Sequence, residues 1–223
     1  MSIPQSTAPG GVSPRESLLE RMGMPRPLLW GFVGLMIFMI GDGVETNILA
    51  PYLTGEHGFS IPLAGTLVTV YGVAVAAAAF LSASLSDLWG PRKVMLIGAA
   101  TWIVFEVLFL GVALNSSSTA LVFITYGLRG FGYPFFAYGF LVWISATANA
   151  KRLAVAIGWF YVAFSAGLPT LGALTASASI DLFGLGYYQT LWLSLALVVI
   201  GAAVALIGVK EKTGRAPLVD NPE

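Results

Sequence analysis

Six runs of apolar residues, at 28–51, 61–85, 94–114, 120–144, 153–176 and 187–209, alternate along the chain with short polar segments. Each run has about the 20 residues that a helix needs to cross a hydrocarbon core about 30 Å thick, so the pattern predicts an all-α integral membrane protein of six transmembrane helices. The connecting segments are brief. Gly55-Glu56-His57-Gly58, Asn115-Ser116-Ser117-Ser118 and 181–186 separate the runs on one side, and 87–93 and 147–152 on the other. Connections this short make consecutive helices antiparallel neighbours and leave no room for an inserted domain. Small residues crowd the second run (Gly72, Ala74, Ala76, Ala77, Ala78, Ala79, Ser82, Ala83, Ser84), a composition that lets helix backbones approach closely in lipid, and that face is expected to pack.

Charge gives the runs a direction. Of the 11 Lys and Arg residues, all except Arg129 fall in the N-terminal tail, the 87–93 and 147–152 loops or the segment after Val209. Cytoplasmic loops collect Lys and Arg, so both termini are expected in the cytoplasm. The formal net charge of +0 hides this sidedness. With 57% hydrophobic and 10% charged residues, against roughly 25% charged in ordinary soluble domains, the chain has too much apolar surface for a soluble fold. Residues 1–26 are polar and contain no cleavable signal, so the first run is expected to remain as a helix. Within that tail, Ser13-Pro14-Arg15-Glu16 has the form of a capping box with Pro at the first helical position, followed by Leu18, Leu19 and Met22. It predicts a short amphipathic helix on the membrane surface. Residues 27–209 form the bundle, and 210–223 lead into a cytoplasmic loop.

Composition also excludes chemistry. The chain contains no Cys and a single His, so disulfides, thiolate metal sites, cysteine nucleophiles and the common zinc motifs are ruled out. His57 stands in a loop, away from any Ser within a span. An enzyme, a metal site or a cofactor is not expected, nor is a nucleic-acid partner.

Four ionisable residues lie inside the runs: Asp42, Glu45, Glu106 and Arg129. Each costs on the order of 3 kcal/mol at the bilayer centre on insertion scales, so such groups face a bundle interior or a watered cavity. Asp42 and Glu45 are three apart and share a helix face, with Gly41 and Gly43 beside the first. Two carboxylates held close in a low dielectric resist ionising together, which suits a group that exchanges protons; a permanent ion pair with Arg129 is the alternative. Glu106 lies among Trp102, Phe105 and Phe109, either as a neutral acid or as a partner for Arg129. Arg129 opens the run Leu128-Arg129-Gly130-Phe131-Gly132-Tyr133-Pro134, where Pro134 interrupts the hydrogen-bond ladder and a cavity-lining kink is expected. Tyr133 and Tyr138 offer hydroxyls and ring faces to a polyhydroxylated solute, or they pack. Gly167 and Pro169, near Trp159, Tyr161 and Ser165, mark a second candidate wall.

The segment Ala83-Ser84-Leu85-Ser86-Asp87-Leu88-Trp89-Gly90-Pro91-Arg92-Lys93 resembles the signature between helices two and three of the major facilitator superfamily. Leu85, Asp87, Gly90, Arg92 and Lys93 match it, while Ala83 replaces the leading Gly, Leu88 the usual Arg and Pro91 the first basic residue. Together with Ile40-Gly41-Asp42-Gly43-Val44-Glu45 and the 128–134 run, it resembles the ribitol/arabinitol polyol-permease branch. The resemblance implies an inner-membrane symporter of twelve helices in two halves, each half a pair of inverted three-helix repeats. Helices one and four line the cavity, and Asp87, Gly90, Arg92 and Lys93 form a cytoplasmic gate. It places Glu106 on a normally peripheral helix. Six runs correspond to one half, so the expected partners are a small solute, protons, the bilayer and a C-terminal half or second copy. The solute is expected to be a polyol or sugar-like molecule. An organic acid anchored by Arg129 is an alternative, as is a truncated or regulatory half that does not transport.

Overall fold

The structure, a computed structural model, describes Met22 and residues 24–209. The surface helix expected near Ser13 and the loop expected from Lys210 lie outside the described residues. Among the described residues every element is helical: α1 (Leu29–Gly55), α2 (Ile61–Trp89), α3 (Pro91–Leu108), α4 (Thr119–Arg129), α5 (Gly132–Thr147), α6 (Leu153–Ser165), α7 (Gly172–Asp181) and α8 (Tyr187–Gly208). A π turn at Phe109–Ala113 extends α3, and another at Ala166–Leu171 joins α6 to α7. Helix starts follow local chemistry, since the Ser60 and Ser118 hydroxyls accept from the backbone N–H groups of Leu63 and Leu121 at 3.4 and 3.3 Å, satisfying donors that a helix N-terminus leaves open.

Among the described residues, five stretches are long and apolar enough to cross a membrane: Leu29–Gly55, Ile61–Trp89, Pro91–Ala113, Ala150–Asp181 and Tyr187–Gly208. The run expected at 120–144 is instead two helices, α4 and α5, interrupted at Gly130 and Phe131. Their N–H groups bond three residues back, to Gly127 and Leu128 at 3.0 and 3.2 Å. Pro134 explains the break, because it has no N–H to return to the Gly130 carbonyl. The expected 87–93 loop also contracts. Helix α2 continues to Trp89 and α3 restarts at Pro91, leaving Gly90 as the hinge at φ 86°, a conformation that side chains with a Cβ rarely adopt.

Helix α1 is the axis of the bundle. It packs most extensively along α8 and also touches α6, the following π turn and α7. Within the membrane, close approach replaces the hydrophobic effect as the source of helix association, and α1 and α8 meet where Gly34 faces Gly201 and Ala205. The Ser194 hydroxyl donates to the Gly41 carbonyl across that seam at 2.7 Å. Chain direction alternates as expected: Gly31 lies beside Val209, Gly139 beside the Pro91 carbonyl, and Arg92 donates to the Leu206 carbonyl at 3.1 Å. The first and last described helix ends therefore share the face that carries Arg92 and Lys93.

The small-residue face of α2 departs from the expectation. Only 17% of its apolar window is buried. Ala78 and Ser82 point inward, whereas Gly72, Ala76, Ala77, Ala83 and Ser84 are exposed. Helix α2 touches α3, α4 and α5 and, more lightly, α1, yet most of that small surface is exposed.

Candidate functional site

Each of three helices contributes two side chains one turn apart to a common interior point. Asp42 and Glu45 come from α1, Trp102 and Glu106 from α3, Tyr126 and Arg129 from α4, and Tyr71 of α2 closes the side. Glu45, Glu106 and Arg129 are fully buried and Asp42 is 2% exposed. The cluster sits at mid-depth, where one apolar cluster built on Phe38, Trp102 and Phe136 gives way to another built on Val44, Phe109 and Tyr126.

Arg129 is the hub. Its Nη1 donates to Oε2 of Glu45 and, at 2.9 Å, to Oε2 of Glu106. Its Nη2 is 3.8 Å from Oδ1 of Asp42, which accepts instead from the Trp102 indole N–H at 2.8 Å. The guanidinium lies over three rings, with Cζ 4.5 Å from the Trp102 centroid, 4.7 Å from Tyr126 and 5.1 Å from Tyr71. Such stacking is worth about 0.5–1 kcal/mol at exposed sites and about 2 kcal/mol when desolvated. Several polar atoms are still without a hydrogen bond: Arg129 Nε and Nη2 and Oε1 of both glutamates.

The structure thus unites Asp42, Glu45, Glu106 and Arg129, and it brings Glu106 fully into contact although the family resemblance placed it at the periphery. The aromatic cage of Tyr71, Trp102 and Tyr126 is additional to the residues expected from sequence. Tyr126 and Trp102 had a local signal, being one turn before Arg129 and Glu106; Tyr71 had none. Tyr133 lies within electrostatic reach of Asp42 and Tyr71, whereas Tyr138 is further along α5. They stand on α5 against α6, with ring centroids 6.2 Å from Phe164 and 6.5 Å from Phe160. At the second candidate wall, the Thr170 hydroxyl donates to the Ser165 carbonyl at 3.4 Å, Tyr161 is exposed and the Trp159 indole donates to the Met22 carbonyl at 3.0 Å. Asp87, Arg92 and Lys93 are all exposed around Gly90.

Gly132 fixes where Trp102 stands. A Cβ there would lie 2.5 Å from the Trp102 Cβ and 2.8 Å from its backbone N and Cα, atoms that cannot swing aside. Gly132→Ala is expected to destabilise the chain by about 1–3 kcal/mol, as overpacking does; denaturant titration in detergent, followed by loss of helical circular dichroism, measures it.

The sequence matches the Major Facilitator Superfamily over residues 28–221. The chain belongs to that superfamily. Among its relatives, an alpha-ketoglutarate permease of Bacillus subtilis is 38% identical over 212 residues, covering 95% of this chain and 48% of the relative. A D-arabinitol transporter and a ribitol transporter of Klebsiella pneumoniae are 38% and 37% identical, covering 85% and 84% of this chain and 44% and 43% of theirs. The chain spans about half the length of these relatives. No solved structure matches it significantly. A major facilitator fold accounts for the all-helical bundle and the apolar membrane-length helices.

Proposed function

We propose that the chain forms a six-helix half of a proton-coupled secondary transporter that imports a small polyol or sugar-like solute across a bacterial-type inner membrane. The observation that carries this reading is a single guanidinium within ion-pair distance of three buried carboxylates. Fully ionised, the cluster would hold one positive and three negative charges in a low dielectric, and it reaches neutrality when two carboxylates carry protons. Groups in that position mark proton relays in transporters.

The rest of the architecture supports the half. Helices α4 and α5 together make the fourth of six crossings, with Gly130 and Phe131 retaining helical dihedrals, and the basic end faces the cytoplasm. The outward small-residue face of α2 suits a second half or a second copy. Asp87, Gly90, Arg92 and Lys93 act as the cytoplasmic gate, with Arg92 already tied to the last turn of α8.

The excess of carboxylates over cations favours an uncharged solute, in keeping with the two polyol-transporter relatives. A second reading, an organic-acid symporter, draws on the alpha-ketoglutarate permease relative and on the unpartnered Nε and Nη2 of Arg129, a bidentate edge for a carboxylate. Uptake of labelled ribitol into proteoliposomes separates them, using the chain alone and joined by the second half of the arabinitol relative. Gradient-driven ribitol uptake that unlabelled arabinitol suppresses and alpha-ketoglutarate does not is the expected result. Suppression by alpha-ketoglutarate alone would establish the second reading.

A further inference from the structure

One oxygen of the cluster has two suitors. Oδ1 of Asp42 accepts from the Trp102 indole N–H at 2.8 Å, and the same oxygen is 3.8 Å from Nη2 of Arg129, beyond hydrogen-bond reach. Nη2 and Nε of that guanidinium have no partner, while Nη1 is taken by Glu45 and Glu106. A charged donor would ordinarily win a carboxylate from a neutral indole, because charge-assisted bonds are the stronger kind. Something holds the acid away. The Trp102 ring does so from the other side as well: its face lies under the guanidinium at 4.5 Å, and its backbone is wedged against Gly132.

We propose that Trp102 is a positioning residue that keeps Asp42 and Arg129 apart. Its N–H anchors the acid and its ring anchors the cation, so that Asp42 is held beside Arg129 without being locked to it. The other groups around this pair are Glu45 on α1, Tyr71 on α2, Glu106 on α3, Tyr126 on α4 and Tyr133 on α5: Glu45 and Glu106 bond Nη1, Tyr71 and Tyr126 stack on the guanidinium, the Tyr71 hydroxyl and Tyr133 also face the Asp42 carboxylate, and Trp102 is the donor to its Oδ1. In a proton-coupled carrier the consequence is that Asp42 remains free to gain and lose a proton, where a closed ion pair would trap it. That consequence rests on the transport reading; the geometry does not, and the test below reads geometry.

Solid-state NMR of the full chain in lipid bilayers addresses it without any transport assay. In the unmutated protein, labelled with 15N at Trp Nε1 and 13C at Asp Cγ, one of the six indoles is expected to dephase at hydrogen-bonded distance, and that signal is expected to vanish in Trp102→Phe. Absence of any such contact overturns the proposal. In the Trp102→Phe chain, which keeps a ring under the guanidinium, Asp42 is expected to close on Arg129, shifting the Arg129 Nη2 proton downfield. The shift is expected to disappear in Trp102→Phe/Asp42→Asn. An Nη2 resonance that does not move, or that moves equally in both variants, overturns the proposal. So does a Trp102→Phe chain that loses its helical fold, which would make Trp102 part of the scaffold.

Discussion

Arg129→Ala is expected to cost the folded chain about 3–5 kcal/mol, the penalty of stranding buried charge when one partner of an ion pair is removed. Three carboxylates depend on this one cation, and Glu45 and Glu106 bond it directly. The rings of Tyr71, Trp102 and Tyr126 lose their guanidinium at the same time. Arg129→Lys is expected to recover only part of the loss, because a point charge cannot serve two carboxylates with a rigid fork and also lie flat between aromatic faces. Arg129→Ala combined with Glu45→Gln and Glu106→Gln is expected to recover more, since amides bear burial better than unpaired carboxylates. Unfolding by SDS titration in mixed micelles gives all four stabilities on one scale. An Arg129→Ala chain within about 0.5 kcal/mol of the parent, the ordinary range for a substitution away from any special feature, would show that the cluster is not a dependent network.

Much of this cluster was legible from sequence for a physical reason. Charge in a bilayer is so costly that Asp42, Glu45, Glu106 and Arg129 stood out against their apolar surroundings, and their convergence follows from the need to neutralise one another. The helix ends were legible in part: the starts at Ile61 and Thr119 fall at or beside the first residues of the expected runs, but the run of α2 through Asp87 to Trp89 was not, because a polar end of a membrane helix has the same composition as a loop. The direction of side chains around a helix was the least legible. A stretch of small and apolar residues carries no amphipathic phase, so nothing in 72–84 distinguished the inward Ala78 from the outward Ala76. Tyr133 and Tyr138 show the same limit from the opposite side. Their residue types left open whether they meet a solute or pack, and the structure sets their rings near Phe164 and Phe160. Tyr71 joins the cage through tertiary packing alone, with no charged neighbour in its own run.

Asp42→Asn and Glu45→Gln are each expected to reduce gradient-driven uptake by about tenfold or more, equivalent to about 1.4 kcal/mol on the limiting step, while leaving the fold intact. Stability should survive because each substitution leaves Arg129 two of its three carboxylates, and Glu106 still bonds Nη1. Coupling should not survive, because an amide keeps the size and hydrogen bonds of the acid but has no proton to surrender. The two parts of a transport cycle separate the effects. Counterflow, in which labelled solute exchanges for unlabelled solute with no net proton movement, is expected to persist in both variants, whereas accumulation against a solute gradient is lost and uptake no longer varies with external pH. Asp42→Asn is expected to be the more severe, since Asp42 is held off the guanidinium by Trp102 and Glu45 is bonded to it directly. Accumulation and pH dependence that both persist in the two variants would move the proton-carrying role away from this cluster, leaving it as the electrostatic core that holds α1, α3 and α4 together.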